Sequence, residues 1–282
     1  KTYTDYHNLL ADKEIDMVTI VTQVKDHLKP TVNALRAGKH VFLEKPMANS
    51  REECEEIITE VEKSDKFFMV GHICRFDTVY ALAKEEIKAG NIGEILSLHA
   101  KRNLSSGFAE NPLCNISALF GDGIHDLDLM LWYTGAKPKS VYAQVMKTKP
   151  NLVYEDIGWA LFRFDSNAIA VIESIWCLPV NTPTTIDAKF EIIGTKGAIY
   201  IDRSGSNYMV LTKEGIKYPE STYWPKVHDS RSGYLKEEFD YFLKCIANNK
   251  KPTVITSQES KDAVYAIKMA EKSAMENKVL EF

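Results

Sequence analysis

Between Met17 and Gly71 three short apolar runs alternate with two stretches of helical periodicity, and this alternation restricts the possible folds more than any other feature of the chain. Residues 17–21 form a β-branched run suited to a strand covered on both faces. A helix is expected over about residues 26–37, closed by Gly38, and it leads into a second strand, His40–Glu44. Ser50-x-x-Glu53 is a capping box, after which Cys54, Ile57, Ile58 and Val61 recur on one helical face. Residues 67–71 make a third strand. Strand and helix in strict alternation, with short links, specify a parallel sheet with right-handed crossovers.

The second strand ends in Glu44-Lys45-Pro46. Charged groups at the carboxyl end of a buried strand stand where open α/β sheets bind ligands, opposite helix N-termini. Pro46 fixes its own φ and pushes Lys45 out of the helical region, so the ammonium is carried on a stiff turn. A solvated lysine at a strand end is the bland alternative. Thr22-Gln23-Val24-Lys25-Asp26-His27 reads in two ways: as an ordinary helix start capped by Asp26, or as a loop touching a cofactor's ribose or nicotinamide. No G-x-G-x-x-G occurs; Gly121-Asp122-Gly123 has Asp126 where the third glycine would fall. A three-stranded sheet is thin for a nucleotide-binding domain. A further strand, glycine turn, helix and strand, about 50 to 60 residues, is therefore expected ahead of Lys1.

After Gly71 the pattern changes. A helix is expected over residues 77–89, ending at Gly90, and a strand over 95–103 with Lys101 and Asn103 on one face. β-rich runs follow at 140–147, 158–164, 168–176, 189–193, 198–201 and 208–212, broken by turn residues. Two helices close the chain, one striped with Leu235, Phe239, Phe242 and Ile246, the other opened by the capping box Thr256-x-x-Glu259. The expected architecture is α/β: a partial Rossmann domain with a parallel sheet over residues 1–73, then an α+β domain with a large open, mostly antiparallel sheet over 74–282.

Asp122, His125 and Asp128 stand at successive i, i+3 steps. In a helix they share one face, with Leu127, Met130 and Leu131 turned toward the body. A histidine flanked by carboxylates suits general acid/base work, because such neighbours pull its pKa of about 6.5 toward working pH. A metal site, an acid-rich helix start and a buried structural histidine remain as alternatives. Arg75, Lys101 and Asn103 are surface groups by default.

The net charge of -4, without a polybasic block, gives no reason to expect nucleic acid or an anionic membrane as partner. The five cysteines are far apart and form no C-x-x-C pair, which argues for reduced thiols and a cytoplasmic setting. No run of about 18 apolar residues is present to span a membrane.

Taken together, the motifs resemble those of the Gfo/Idh/MocA family of NAD(P)-dependent oxidoreductases. The most specific stretch runs from Ala37 to Pro46 and matches A-G-K-H-V-x-x-E-K-P almost letter for letter. Thr22 with His27, Arg75-Phe76 through Tyr80, Gly90-Asn91-Ile92-Gly93-Glu94, His125-x-x-Asp128 with Trp132, and Glu191 through Gly197 match as well. The resemblance implies a Rossmann domain followed by a sheet domain whose exposed face pairs subunits into a homodimer or homotetramer. It implies NAD or NADP as cofactor and a sugar, cyclitol or related polyol as substrate. Lys45 would hold the reacting hydroxyl and support its deprotonation, and Glu44 would contact the nicotinamide ribose. Thr22, Gln23 and His27 would line the cofactor. His125 would be the acid/base, with Arg75, Lys101 and Asn103 reaching substrate hydroxyls, and the Lys45-Pro46 bond is often cis in relatives. The family places its catalytic Asp four residues before the His, which is Gly121 here; Asp122 stands one residue closer. A non-catalytic regulatory member of the same fold, sensing dinucleotide or sugar, is the rival reading.

Overall fold

The computed structural model describes every residue except 112, 113, 206, 207, 220 and 222. It forms two compact units, Lys1–His72 with Glu237–Tyr265, and Ile73–Lys236 with Ala266–Phe282.

The first unit carries α1 (Tyr6–Ala11), β1 (Met17–Ile20), α2 (Leu28–Arg36), β2 (His40–Glu44), α3 (Arg51–Lys63) and β3 (Phe68–Gly71). The strands form a parallel sheet in the order β1-β2-β3. As the middle strand, β2 is covered on both faces, with Val41, Phe42 and Leu43 all but inaccessible. Its direction is set one turn earlier. Gly38 takes φ +71°, and the amides of Gly38 and Lys39 return to the carbonyls of Leu35 and Ala34. That paired closure of a helix end needs a left-handed residue, which glycine adopts without steric cost.

Sequence alone assigns 237–265 to the second domain, whereas packing assigns it to the first. Phe239 stacks on Phe42 with ring centroids 4.4 Å apart, and Phe242 lies 5.9 Å from the same ring. Phe239 and Phe242 of the apolar stripe read in the sequence thus cover β2.

The second unit contains α4 (Thr78–Lys88), β4 (Ile95–Ser105), α5 (Ile124–Thr134), β5 (Pro138–Met146), β6 (Ile157–Phe164), β7 (Ile169–Leu178), β8 (Asp187–Gly194) and β9 (Ala198–Asp202). Two short ribbons follow, β10 (Val210–Thr212) with β11 (Gly215–Lys217) and β12 (Lys226–Val227) with β13 (Ser230–Arg231). Helices α6 (Tyr234–Ala247) and α7 (Ser257–Glu276) and strand β14 (Leu280–Glu281) complete the chain. The main sheet has seven strands in the order β14-β5-β6-β7-β4-β8-β9, antiparallel except for the β4–β7 pair.

Strict alternation sorts the side chains of this sheet. Leu98, Ala100, Arg102 and Leu104 of β4, and Ala170, Ile172, Ser174 and Trp176 of β7, lie on the buried face that receives α5. The opposite face exposes Tyr142, Met146, Trp159, Leu161, Ile169, Ile193 and Tyr200.

Candidate functional site

In the first unit the turn after β2 holds Glu44, Lys45 and Pro46, and the Lys45-Pro46 bond is cis, as expected. Glu44 and Lys45 are half-buried, at the carboxyl end of the central strand. Beside them Gly71, at the end of β3, makes room. A β-carbon there would stand 3.2 Å from Glu44 Oε2 and 3.2 Å from the Phe42 ring. The Glu44 carboxylate therefore sits in a recess that a larger residue would narrow.

The Thr22–His27 loop is not a simple helix start. Residues Val24–Asp26 form a 3₁₀ turn and α2 begins only at Leu28, with no side-chain cap. Asp26 does not cap; its carbonyl accepts from the Thr22 hydroxyl at 3.2 Å. Val21, Thr22 and Asp26 are exposed, and Gln23 is half-buried, beside the carboxyl end of β1.

His27 departs from the expectation that it lines a cofactor. It is buried, with Nδ1 2.9 Å from the Pro46 carbonyl and Nε2 3.0 Å from the Thr22 carbonyl. A neutral imidazole has one N–H, so it donates to one carbonyl at a time. Burial pushes its pKa down, while the carbonyls of Thr22, Pro46 and Met47 pull the other way. The ring thus ties the first loop to the Lys45-Pro46 turn from behind.

In the second unit the segment bearing Asp122 and His125 is more deeply enclosed than its pattern suggests. Leu119–Gly123 is a π-helical turn that runs directly into α5. From Ile124 to Met130 every side chain is buried, while Leu131, expected to face the body, is partly exposed. Such burial of three polar residues requires partners. Asp128 receives a two-point contact from Arg75, Nε to Oδ2 at 2.9 Å and Nη2 to Oδ1 at 2.7 Å, with the Trp132 ring 5.2 Å from the guanidinium carbon. Asp126 accepts from Arg102 Nη2 at 2.8 Å. Burial pushes the Asp126 carboxyl up, and Arg102 draws it back.

These contacts change three assignments. The Arg75 side chain is fully buried and committed to Asp128, so it anchors α5 instead of reaching a substrate. Lys101 pairs with Asp187 at 2.6 Å and Asn103 donates to Glu173 at 2.6 Å. Both lie on the sheet face opposite α5, because alternation on β4 sends Arg102 toward the helix and its two neighbours away. They are removed from the substrate set for that reason. The signal for Arg102 was present in the sequence as a charge in register with Leu98, Ala100 and Leu104.

Asp122 stays on the His125 side. Its Oδ1 is 3.9 Å from His125 Nε2, and its Oδ2 accepts from the Trp176 indole N–H at 2.7 Å. Neighbours three apart face each other on a helix as those four apart do, so the one-residue displacement does not turn the carboxylate away. Trp176 was not singled out from sequence; only its place on β7, opposite α5, reveals it.

Two models of one family match the chain: an oxidoreductase family with an NAD-binding Rossmann fold over residues 1–72, and a GFO/IDH/MocA C-terminal domain over residues 80–200. The chain is 29% identical to a myo-inositol 2-dehydrogenase of Thermotoga maritima, across 99% of this chain and 83% of that protein. It is 32% identical to a 2,7-anhydro-N-acetylneuraminate hydratase of Escherichia coli, across 82% of this chain and 64% of that protein. The solved scyllo-inositol dehydrogenase of Lactobacillus casei, with bound NAD(H) and scyllo-inositol, superposes with a TM-score of 0.82 at 26% identity, over 98% of this chain and 83% of that one.

Proposed function

The chain belongs to the Gfo/Idh/MocA family of NAD-binding oxidoreductases, and from that premise we propose that it moves hydride between NAD and a carbinol carbon of a cyclitol or sugar. The observation that carries this reading is Glu44-Lys45 at the carboxyl end of the central parallel strand, the edge where open α/β sheets take their ligands.

The residues present fit the nicotinamide and ribose half of the cofactor. The recess left by Gly71 holds a carboxylate suited to ribose hydroxyls, and exposed Val21 offers an apolar surface beside Thr22 and Gln23. Glu44, Lys45, Thr22 and Gln23 are the residues proposed to hold it; His27 supports them from the interior. When bound, NAD supplies the hydride acceptor or donor. The Lys45 ammonium binds the reacting hydroxyl oxygen and stabilises its deprotonated form. His125 takes the hydroxyl proton in oxidation and returns it in reduction, oriented by Asp122. Such proton transfer typically contributes about 10²- to 10⁴-fold. Arg75 and Arg102 hold α5 so that His125 is presented in one orientation.

Screening the protein with NAD+ and with NADP+ against a panel of inositols and sugars, and following reduced-nicotinamide absorbance, tests the reading. Turnover of a cyclitol with NAD+ is expected; cofactor binding without turnover across the panel would favour the regulatory reading.

A second reading rests on the similarity to the E. coli hydratase: addition or removal of water at a sugar substrate. Product formation with no net change in nicotinamide absorbance distinguishes it.

We also propose that the exposed apolar sheet face bearing Tyr142, Trp159, Leu161 and Tyr200 pairs subunits into a dimer or tetramer, which light scattering would measure. The five free thiols support a reducing, cytoplasmic setting.

A further inference from the structure

Gly121, Asp122, His125 and Trp176 form one steric and electrostatic unit within the second body of the protein. A β-carbon on Gly121 would stand 2.5 Å from Trp176 Cη2 and 2.7 Å from its Cζ2, so the indole occupies the volume any side chain at 121 would need. The ring cannot withdraw freely, because it is packed with Leu104 and Ala118 and flanked by Ala109, Cys114, Ile116 and Ile186. Its strand is pinned at both neighbouring points: Ser174 Oγ donates to the Ala118 carbonyl at 2.8 Å, and the Trp176 amide donates to the Asp156 carbonyl at 2.7 Å. From the other side Ser117 Oγ accepts from the Phe120 amide at 3.1 Å and donates to Glu271 at 2.6 Å, fixing the start of the π turn.

In this frame the indole N–H takes one oxygen of Asp122 and leaves the other toward His125. On the helix itself Arg102 donates to one oxygen of Asp126, and Asp128 is paired with Arg75. Cys74 and Cys114, the thiols facing this cluster, are held protonated by burial. Among the described residues, Asp122 brings a carboxylate oxygen to 3.9 Å from His125 Nε2. A π turn commonly marks a place where a side chain has been re-aimed for function.

We propose that Trp176 is a positioning residue for catalysis, which holds the Asp122 carboxylate against His125 and so sets the proton affinity of that histidine, with Gly121 the vacancy that admits its ring. The inference rests on the acid/base role given to His125 above and adds to it the group that governs it.

The test is a double-mutant cycle on the NAD-loaded protein, read by the pH profile of kcat/KM and by NMR titration of His125. Asp122→Asn should lower the His125 pKa by roughly one unit, since a nearby carboxylate favours the protonated ring. Trp176→Phe keeps an aromatic ring against Gly121 and removes only the donor; it should lower the same pKa by a smaller amount than Asp122→Asn does. In an Asp122→Asn background Trp176→Phe should add nothing further to the shift. A structural role alone would lower the melting temperature and leave the His125 titration in place. An unmoved titration in Trp176→Phe, or a shift of equal size with and without Asp122, overturns the inference. A wild-type protein that turns over no polyol overturns the proposed function instead, and the NMR titration still decides the role of Trp176.

Discussion

The two regions proposed to carry the chemistry hold their working side chains by opposite means. Around Lys45 the support is neutral: a buried imidazole between two backbone carbonyls, and a recess left by a glycine. Around His125 the support is ionic: two guanidiniums buried against two carboxylates on one helix. Neutral backbone contacts each contribute about 1 kcal/mol and respond to the protonation of a single ring. A buried ion pair contributes little net stability when intact, yet its half-removal is severe because one charge is stranded. The first region should therefore be the one that pH can loosen, and the second the one that mutation can break.

The largest effect expected is on turnover. Lys45→Ala should reduce kcat by about 10²- to 10⁴-fold and weaken NAD binding, measured by fluorescence titration, by far less. Equal losses in both would assign Lys45 to cofactor binding alone.

Arg75→Met should destabilise the protein by about 3 to 5 kcal/mol in denaturant unfolding, because Asp128 is left charged and buried. The double variant Arg75→Met with Asp128→Leu should recover most of that loss. Failure of the second change to rescue would show that the pair contributes more than mutual neutralisation.

The pH response has a definite sign. Burial lowers the His27 pKa in the folded state, so the unfolded chain binds the proton more readily. The stabilisation is fully present above the ordinary histidine value of about 6.5 and is lost as pH falls below it. His40 acts with the same sign: burial lowers its pKa, and its Nδ1 accepts from the Phe67 amide at 2.9 Å. Unfolding midpoints at pH 7.5 and 5.5 should therefore differ, and His27→Gln should remove part of the difference. An unchanged slope would exclude His27 as the sensor.

The smallest effect sharpens the contrast with the ionic side. Ser50 Oγ accepts from the Glu53 amide at 3.2 Å and starts α3 just beyond the lysine turn. Ser50→Ala should cost about 1 kcal/mol of stability, read as a fall in melting temperature, with no change in the His125 titration. A loss approaching that of Arg75→Met would end the distinction between the two kinds of support.

Much of the fold was legible in the chain because it is written locally. The alternation from Met17 to Gly71, the left-handed Gly38, both capping boxes and the Glu44-Lys45-Pro46 turn depend on neighbours within a few residues, and each is found where its pattern lies. Alternation on β4 also required Arg102 to oppose Lys101 and Asn103. Which of those two faces would meet α5 is a property of the packed sheet, and it moved Lys101 and Asn103 away from the histidine. The same holds for Arg75, bound to a residue 53 positions away, and for Trp176, bound to one 54 positions away. Sequence specified the periodicities and the turn chemistry, which arise from backbone sterics over a few bonds. Only tertiary structure decided which polar groups are buried together, because burial and pairing are settled by contacts between segments the chain brings together from afar.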